Sequence, residues 1–188
     1  MVNKSSSPAL FLDRDGIVNV EGGYISKISE FEFNREIFEL CRHFKKMDFK
    51  IIIVTNQSGI GRGLCTLQEY QELNSWMLGR FLSEGIKIDL VQTSTLDPNN
   101  ENATDVEKWR RKPNPGMLLE AEEKLNLDLS SSLLIGDNLT DIEAGLAAKV
   151  PHLFLVSHQH SLSSAYETFE DLENCLVRLK ELFPSPAN

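Results

Sequence analysis

LFLDRDGIVN, residues Leu10 to Asn19, runs from an apolar start into two aspartates one position apart, with a glycine directly behind them. An apolar run with no polar alternation marks a strand buried on both faces, as in a parallel sheet covered by helices. The pattern recurs along the chain. FKIIIVTN (49–56), IKIDLVQTST (86–95), SLLIGD (132–137) and HLFLVS (152–157) read as further strands. Helical stretches lie between them. REIFELCRHFKKM (35–47) places Ile37, Leu40, Cys41, Phe44 and Met47 at helical spacing. TLQEYQELNSWMLGRFLSEG (66–85) opens with a capping box from Thr66 to Glu69 and closes at Gly85. NPGMLLEAEEKLNL (114–127) offers Asn114 as N-cap and Pro115 at the first helical position. A short helix is expected over 139–148, and TFEDLENCLVRLKELF (168–183) reads as a terminal amphipathic helix with Phe169, Leu172, Leu176, Leu179 and Phe183 on one stripe. The expectation is an α/β fold: a three-layer, Rossmann-like parallel sheet with helices on both faces.

Composition bounds the function. At 188 residues the chain suits one domain, 1–188, with 1–8 and 184–188 read as frayed tails. The net charge of −9 argues against a broad nucleic-acid-binding face, so an anionic substrate needs a local cluster of cations or a metal. Cys41, Cys65 and Cys175 form no pair at metal or redox spacing, which fits a reducing cytoplasm, with Cys41 and Cys175 packed as small apolar residues. No apolar run approaches the length of a bilayer span, and the polar start MVNKSSSP lacks a signal-peptide core. A cytoplasmic monomer is expected.

In parallel α/β sheets ligands bind outside the carboxyl ends of the strands. Asp13, Asp15, Thr55, Asn56 and Asp137 all stand at strand ends, and Lys112 just before a helix. A carboxylate there can attack phosphorus and take up the phosphoryl group. It repels an anionic phosphate unless a hard divalent cation such as Mg²⁺ intervenes, and such a cation takes oxygen ligands. Asp13 and Asp137 can supply them, with the Asp15 carbonyl as a third. The Asp15 carboxyl can protonate a leaving oxygen and later deprotonate an attacking water. Thr55 offers a hydroxyl to phosphoryl oxygens and Lys112 a fixed positive charge.

DRDG, TNQSGIGRG, RKPNPGM and IGDNLTDIEAG together resemble, in order and spacing, the four motifs of the haloacid dehalogenase-like phosphatases; the resemblance covers roughly 10–156. More narrowly, FLDRDGIVN, the following GGY, TNQSGIGRG and RKPNPGM resemble the heptose-bisphosphate 7-phosphatases, with histidinol-phosphate phosphatases as near relatives. The resemblance implies Asp13 as nucleophile and Mg²⁺ ligand, Asp15 as acid/base with its carbonyl on the metal, and Asp137 as the third protein ligand. It implies Thr55, Asn56, Gln57 and Ser58 as the phosphate loop, with Arg111 and Lys112 for substrate recognition and phosphoryl stabilisation. Glu21, Gly22, Gly23 and Tyr24 match a stretch beside the substrate, and Asn138 stands where the heptose enzymes often carry lysine. The expected partner is a small phosphorylated molecule, a sugar phosphate, with no membrane partner. A polynucleotide 3′-phosphatase remains the rival reading, since those enzymes carry a similar TNQ loop, and a non-catalytic phosphate-binding module is the second alternative.

One departure stands out. The family this chain resembles usually carries a zinc-binding loop with Cys and His before RKP, whereas residues 93–117 here contain neither. No structural zinc is expected, because Asp97, Glu101, Asp105 and Glu107 alone make a poor tetrahedral site. The segment is expected to be held by Trp109 packing or to be loosely ordered. Asp13 to Thr55 spans 42 positions and Thr55 to Lys112 spans 57, too few for a folded cap domain besides the elements they hold. Taken singly, several features have plainer readings. Asp141 reads as a helix cap or a group behind the ligands; Gly59, Gly61, Gly63 and Arg62 as loop residues; His158 and His160 as exposed loop histidines; Trp76 and Trp109 as packing residues.

Overall fold

The computed structural model describes residues 6–158 and 163–186. Six parallel strands form one open sheet in the order β3-β2-β1-β4-β5-β6. They are β1 (Ala9–Leu12), β2 (Lys50–Asn56), β3 (Leu90–Ser94), β4 (Leu133–Gly136), β5 (His152–Val156) and β6 (Glu167–Phe169). The helices between them are α1 (Ile37–Lys45), α2 (Ser58–Gly61), α3 (Leu67–Ser83), α4 (Asp105–Arg110), α5 (Gly116–Leu125), α6 (Leu139–Ala147) and α7 (Leu172–Leu182).

The strand period of two sorts the apolar residues onto two faces. Leu10 and Leu12 of β1, with Ile51 and Ile53 of β2, pack under α1, α3 and α7. Ala9 and Phe11, with Ile52 and Val54, pack under α5 and α6. All four β1 residues are fully buried. Burial of this kind contributes about 25 cal/mol per Å² of apolar surface, which is why the continuous apolar strands hold the middle of the sheet. Two aromatic contacts extend the first face: Trp76 meets Phe31 edge-on at 5.6 Å between centroids, and Phe44 meets Phe49 at 5.0 Å. The packing readings of Trp76, Cys41 and Cys175 hold.

β1 pairs with β2 on one side and β4 on the other, with Leu12 opposite both Ile53 and Ile135. The direction of winding reverses here, so the loops after β1, β2 and β4 part and leave a crevice. Neither the 13–55 nor the 55–112 interval holds a folded cap.

Four expectations need correction. Thr168 and Phe169 belong to the edge strand β6, so the last helix starts at Leu172 behind an Asp171 N-cap; the Phe169 side chain packs on the core from a strand. Asn114 does not cap α5; its side-chain amide donates to the Lys108 carbonyl at 3.0 Å and Pro115 takes the cap position. Residues 7 and 8 are not frayed, because Ser7 exchanges backbone hydrogen bonds with Asn126 and Asp128 and the Pro8 carbonyl accepts from Lys50. The segment before RKP contains a helix, α4, opened by a capping box between Thr104 and Glu107. His158 is exposed, and His160 lies outside the described residues. No helix among the described residues is long and apolar enough to cross a membrane.

Candidate active site

Asp13 is the first residue past β1, and its amide donates to the Ile135 carbonyl of β4 at 3.0 Å. That bond holds the side chain at the mouth of the crevice, where it is 8 % exposed. Lys112 reaches it from the loop before α5. Its ammonium sits 2.5 Å from Asp13 Oδ1, 2.5 Å from Asp141 Oδ1 and 2.8 Å from the Val54 carbonyl. The backbone of Lys112 is fixed by Asn56, whose side-chain amide donates to the Lys112 carbonyl at 3.0 Å and accepts from its N–H at 3.2 Å. A lysine so buried must be paired to remain charged. Burial alone would lower its pKa, but Asp13 and Asp141 together hold it above the ordinary lysine value.

Asp15 points into the same cavity under firm restraint. Arg14 grips its carboxylate with contacts of 2.8 and 2.9 Å, Gln57 donates to Oδ2 at 2.8 Å and Asn19 to Oδ1 at 3.2 Å. The same Gln57 amide bonds the Thr55 hydroxyl at 2.8 Å, joining the ends of β1 and β2.

Asp137 follows β4 directly, as Asp13 follows β1. Gly16 makes room for it. That glycine has φ +84°, and a Cβ there would run into the Asp137 carboxylate. Asp13, Asp137 and Asp141 each offer a carboxylate oxygen within 4.8 Å of the others, a set able to hold a metal ion. Their titration reflects crowding. Burial pushes the Asp13 pKa up to about 7, against the pull of Lys112, with Asp141 and Asp15 adding to the rise. Burial, then Asp13, Asp141 and Glu21, push Asp137 up to about 9. Carboxylates held this far above their ordinary range are what a divalent oxygen-ligated cation would relieve, so the residues fit one.

Every sequence-predicted site residue except Gly22 lines a single cavity of about 440 Å³: Asp13, Asp15, Glu21, Gly23, Tyr24, Thr55, Asn56, Gln57, Ser58, Arg111, Lys112, Asp137 and Asn138. Thr140 and Asp141 complete the lining. Asn138 serves also as the N-cap of α6, its Oδ1 accepting from the Thr140 N–H at 3.1 Å. Asp141 is what sequence reasoning undervalued. It does cap, accepting from the Asn138 N–H at 3.0 Å, but it also faces Lys112 and the carboxylate pair. The signal available was its spacing: four positions after Asp137 brings a helix residue back over the strand end. An adjoining cavity shares Glu21, Asp137 and Asn138 and is faced by Glu36, Glu170 and Asp171. The acidic side of the mouth is therefore there, and the cation Arg111, whose guanidinium donates to the Leu96 carbonyl at 3.1 Å, stands among the lining residues of the first.

A switch-point crevice with paired strand-end aspartates and a buried lysine has the groups that phosphoryl transfer to a carboxylate requires. The HAD-hydrolase-like family model matches residues 109–170. The chain is 40% identical over 173 residues to the D-glycero-alpha-D-manno-heptose-1,7-bisphosphate 7-phosphatase of Campylobacter jejuni, covering 92% of this chain and 96% of that one. It is 40% identical over 156 residues to the D-glycero-beta-D-manno-heptose-1,7-bisphosphate 7-phosphatase of Escherichia coli K12, with 80% of each covered. Among solved structures, the D,D-heptose 1,7-bisphosphate phosphatase of B. bronchiseptica, complexed with magnesium and phosphate, superposes with a TM-score of 0.78 at 23% identity, covering 93% of this chain and 99% of that one. The chain belongs to the heptose-bisphosphate 7-phosphatase family of HAD-like hydrolases, and it is a phosphatase acting on phosphoric monoesters.

Proposed function

We propose that this phosphatase removes the 7-phosphate of D-glycero-D-manno-heptose 1,7-bisphosphate, with Mg²⁺ as its cofactor and an aspartyl-phosphate on Asp13 as the intermediate. The observation that carries the reading is the convergence of Asp13, Lys112 and the Asp137–Asp141 carboxylates in one cavity that Arg111 and Tyr24 also line. The relatives that share 40% identity over most of the chain are named for this substrate in both anomeric forms.

The chain's own residues account for the steps. An Asp13 carboxylate oxygen attacks phosphorus, and the P–O bond to the sugar breaks. Asp15 gives its proton to the departing sugar oxygen, then takes one from the water that attacks the phosphoaspartate; inorganic phosphate leaves and Asp13 is restored. Lys112 and the Thr55 hydroxyl neutralise and orient the transferred group. Arg14, Gln57 and Asn19 keep Asp15 in place between the two half-reactions. Mg²⁺ held by Asp13, the Asp15 carbonyl and Asp137 would cancel the repulsion between the carboxylates and the phosphate. The acidic neighbouring cavity disfavours a second anionic group on that side, leaving the Arg111 side for the far phosphate.

Phosphate release from the two anomers of heptose 1,7-bisphosphate, histidinol phosphate and a 3′-phosphorylated oligonucleotide tests the reading. The heptose bisphosphates should give the highest kcat/KM. A preference for either other substrate overturns it.

A further inference from the structure

TNQSGIGRG contains three glycines and an arginine that the chemistry at Asp13 leaves unused. Their surroundings give them work. The turn of α2 is wedged between the Tyr24 loop, which lines the cavity, and the 95–97 segment, whose Leu96 carbonyl holds the lining residue Arg111. On one side a Cβ at Gly59 would stand 3.0 Å from the Tyr24 ring. On the other, a Cβ at Gly61 would collide with the Thr95 carbonyl and lie 2.7 Å from the Asp97 N–H nitrogen. Only glycine fits at 61, where the obstacles are backbone atoms; at 59 a Cβ would press on the Tyr24 ring. Arg62, the next residue, ties the two segments together. Its Nη1 donates to the Tyr24 hydroxyl at 2.7 Å, and its Nε donates to Asp97 Oδ1 at 3.2 Å. Asp97 is itself fixed by a turn, accepting from the Asn99 N–H at 3.0 Å. One residue before it, the Leu96 carbonyl holds Arg111. Arg62 and Asp97 are also near enough to Arg111 to act on its pKa in opposite directions, after the larger lowering by burial.

We propose that Arg62 is a positioning residue: a clasp across the mouth that holds Tyr24 and the Asp97 turn, and through Leu96 sets Arg111, for the part of the substrate beyond the scissile phosphate. The proposal rests on the sugar-phosphate reading only for which substrate feels the clasp. Arg62 is not among the residues that line the cavity around Asp13. It governs affinity for a large ester and leaves a small one alone. The ion pair is partly exposed, with side chains 34% and 25% accessible. Its loss should therefore shift KM by only about three- to tenfold.

The test uses the full chain, Arg62→Ala, Arg62→Lys, Asp97→Asn and the Ala/Asn double variant. Asp97→Asn keeps the Oδ1 that accepts from both the Asn99 N–H and Arg62 Nε and removes the charge that strengthens the Arg62 bond. On the best ester of the panel above, Arg62→Ala and Asp97→Asn should each raise KM by that factor with kcat within about twofold, and the double variant should add nothing beyond either single. Arg62→Lys should recover part of the loss, since it keeps the charge but not the two-pronged geometry. Para-nitrophenyl phosphate should be hydrolysed alike by all. Amide hydrogen exchange on the substrate-free protein supplies a readout independent of substrate: exchange should quicken at both 22–25 and 95–98 in Arg62→Ala. Unchanged exchange at either segment overturns the clasp. A lower KM in Asp97→Asn overturns it too, since that outcome means Arg62 binds the substrate itself once freed. Failure of the wild type on heptose bisphosphate, with the exchange result as expected, overturns only the substrate reading.

Discussion

Asp13 is costly to keep where it is. Buried beside Asp141 and Asp15, it is pushed up to about 7 even though Lys112, 2.5 Å away, pulls it down. Replacing it with asparagine removes the carboxylate proposed to attack phosphorus, and the charge crowding with it. Asp13→Asn should lower kcat by at least about 10³-fold, and the melting temperature at pH 8 in chelator should stay level or rise; hydrolysis at the wild-type rate refutes the covalent route. The pH dependence of stability follows from the same groups. The ordinary aspartate value is 3.8, and the folded chain holds Asp13 near about 7 and Asp137 near about 9. Above 3.8 the unfolded chain sheds protons that the folded chain retains, so rising pH favours unfolding. The stability these groups contribute without metal is full below 3.8 and is lost as pH climbs to about 7 on Asp13 and about 9 on Asp137. Thermal melts in chelator should drop by several degrees between about pH 5 and pH 9, and Mg²⁺ at the alkaline end should recover most of the drop. A flat profile, or no response to Mg²⁺, contradicts the cation's place among these carboxylates. Ca²⁺ should stabilise likewise yet support little turnover, because its larger, looser coordination lets Asp13 bind through both oxygens and turns it from its line of attack. At this scale the sequence was readable. Taken alone, Asp13 and Asp15 pass for a charged turn after a strand and Asp137 for a helix cap; it is the four motifs in order that single them out. Asp141 was not singled out, because a helix-capping aspartate looks the same whether or not a lysine 29 positions earlier folds back onto it.

Helix α4 shows where element-level reading fails. Its six residues bury none of their number fully, so no apolar stripe betrays it. The signal was present in another form, Thr104 three positions before Glu107, the same box recognised at Thr66 and Glu69. Without a periodic stripe behind it, that box passes for an ordinary polar loop. The helix ends in the residues that deliver Arg111 and Lys112, and it is anchored by Trp109 against Gly116 and by an Arg110–Glu120 contact of 2.9 Å to α5. Thr104→Ala should cost about 1 kcal/mol, roughly 2–4 °C in melting temperature, and raise KM for the sugar bisphosphate more than it changes kcat. An unchanged KM and melting temperature means the cap carries nothing. Elemental analysis of the purified protein should find no stoichiometric zinc, since these hydrogen bonds do the fastening and residues 93–110 supply no thiolate or imidazole. The missed edge strand β6 has a similar cause to α4. Three residues, only partly buried, give no alternation long enough to separate them from the amphipathic helix that follows.

Across the whole molecule the parallel order was legible, since every central strand is apolar on both faces and each is followed by a helix pattern. The order of strands was not. Only the fold shows that β1 lies between β2 and β4, so that aspartates 124 positions apart come to share a cavity. That central place of β1 bears on how the enzyme fails under stress. Its four residues are sealed under helices on both faces and bonded to a neighbour on each edge, so nothing short of global unfolding should free Asp13 from its place beside β4. The mouth, built from α2 and the Tyr24 loop, is tied by more exposed contacts such as those of Arg62. Under rising urea, discrimination between large and small esters should erode first. Hydrolysis of para-nitrophenyl phosphate should persist until the far-ultraviolet circular dichroism collapses, the two midpoints coinciding. The enzyme would lose its selectivity before it loses its chemistry, becoming indiscriminate while still folded.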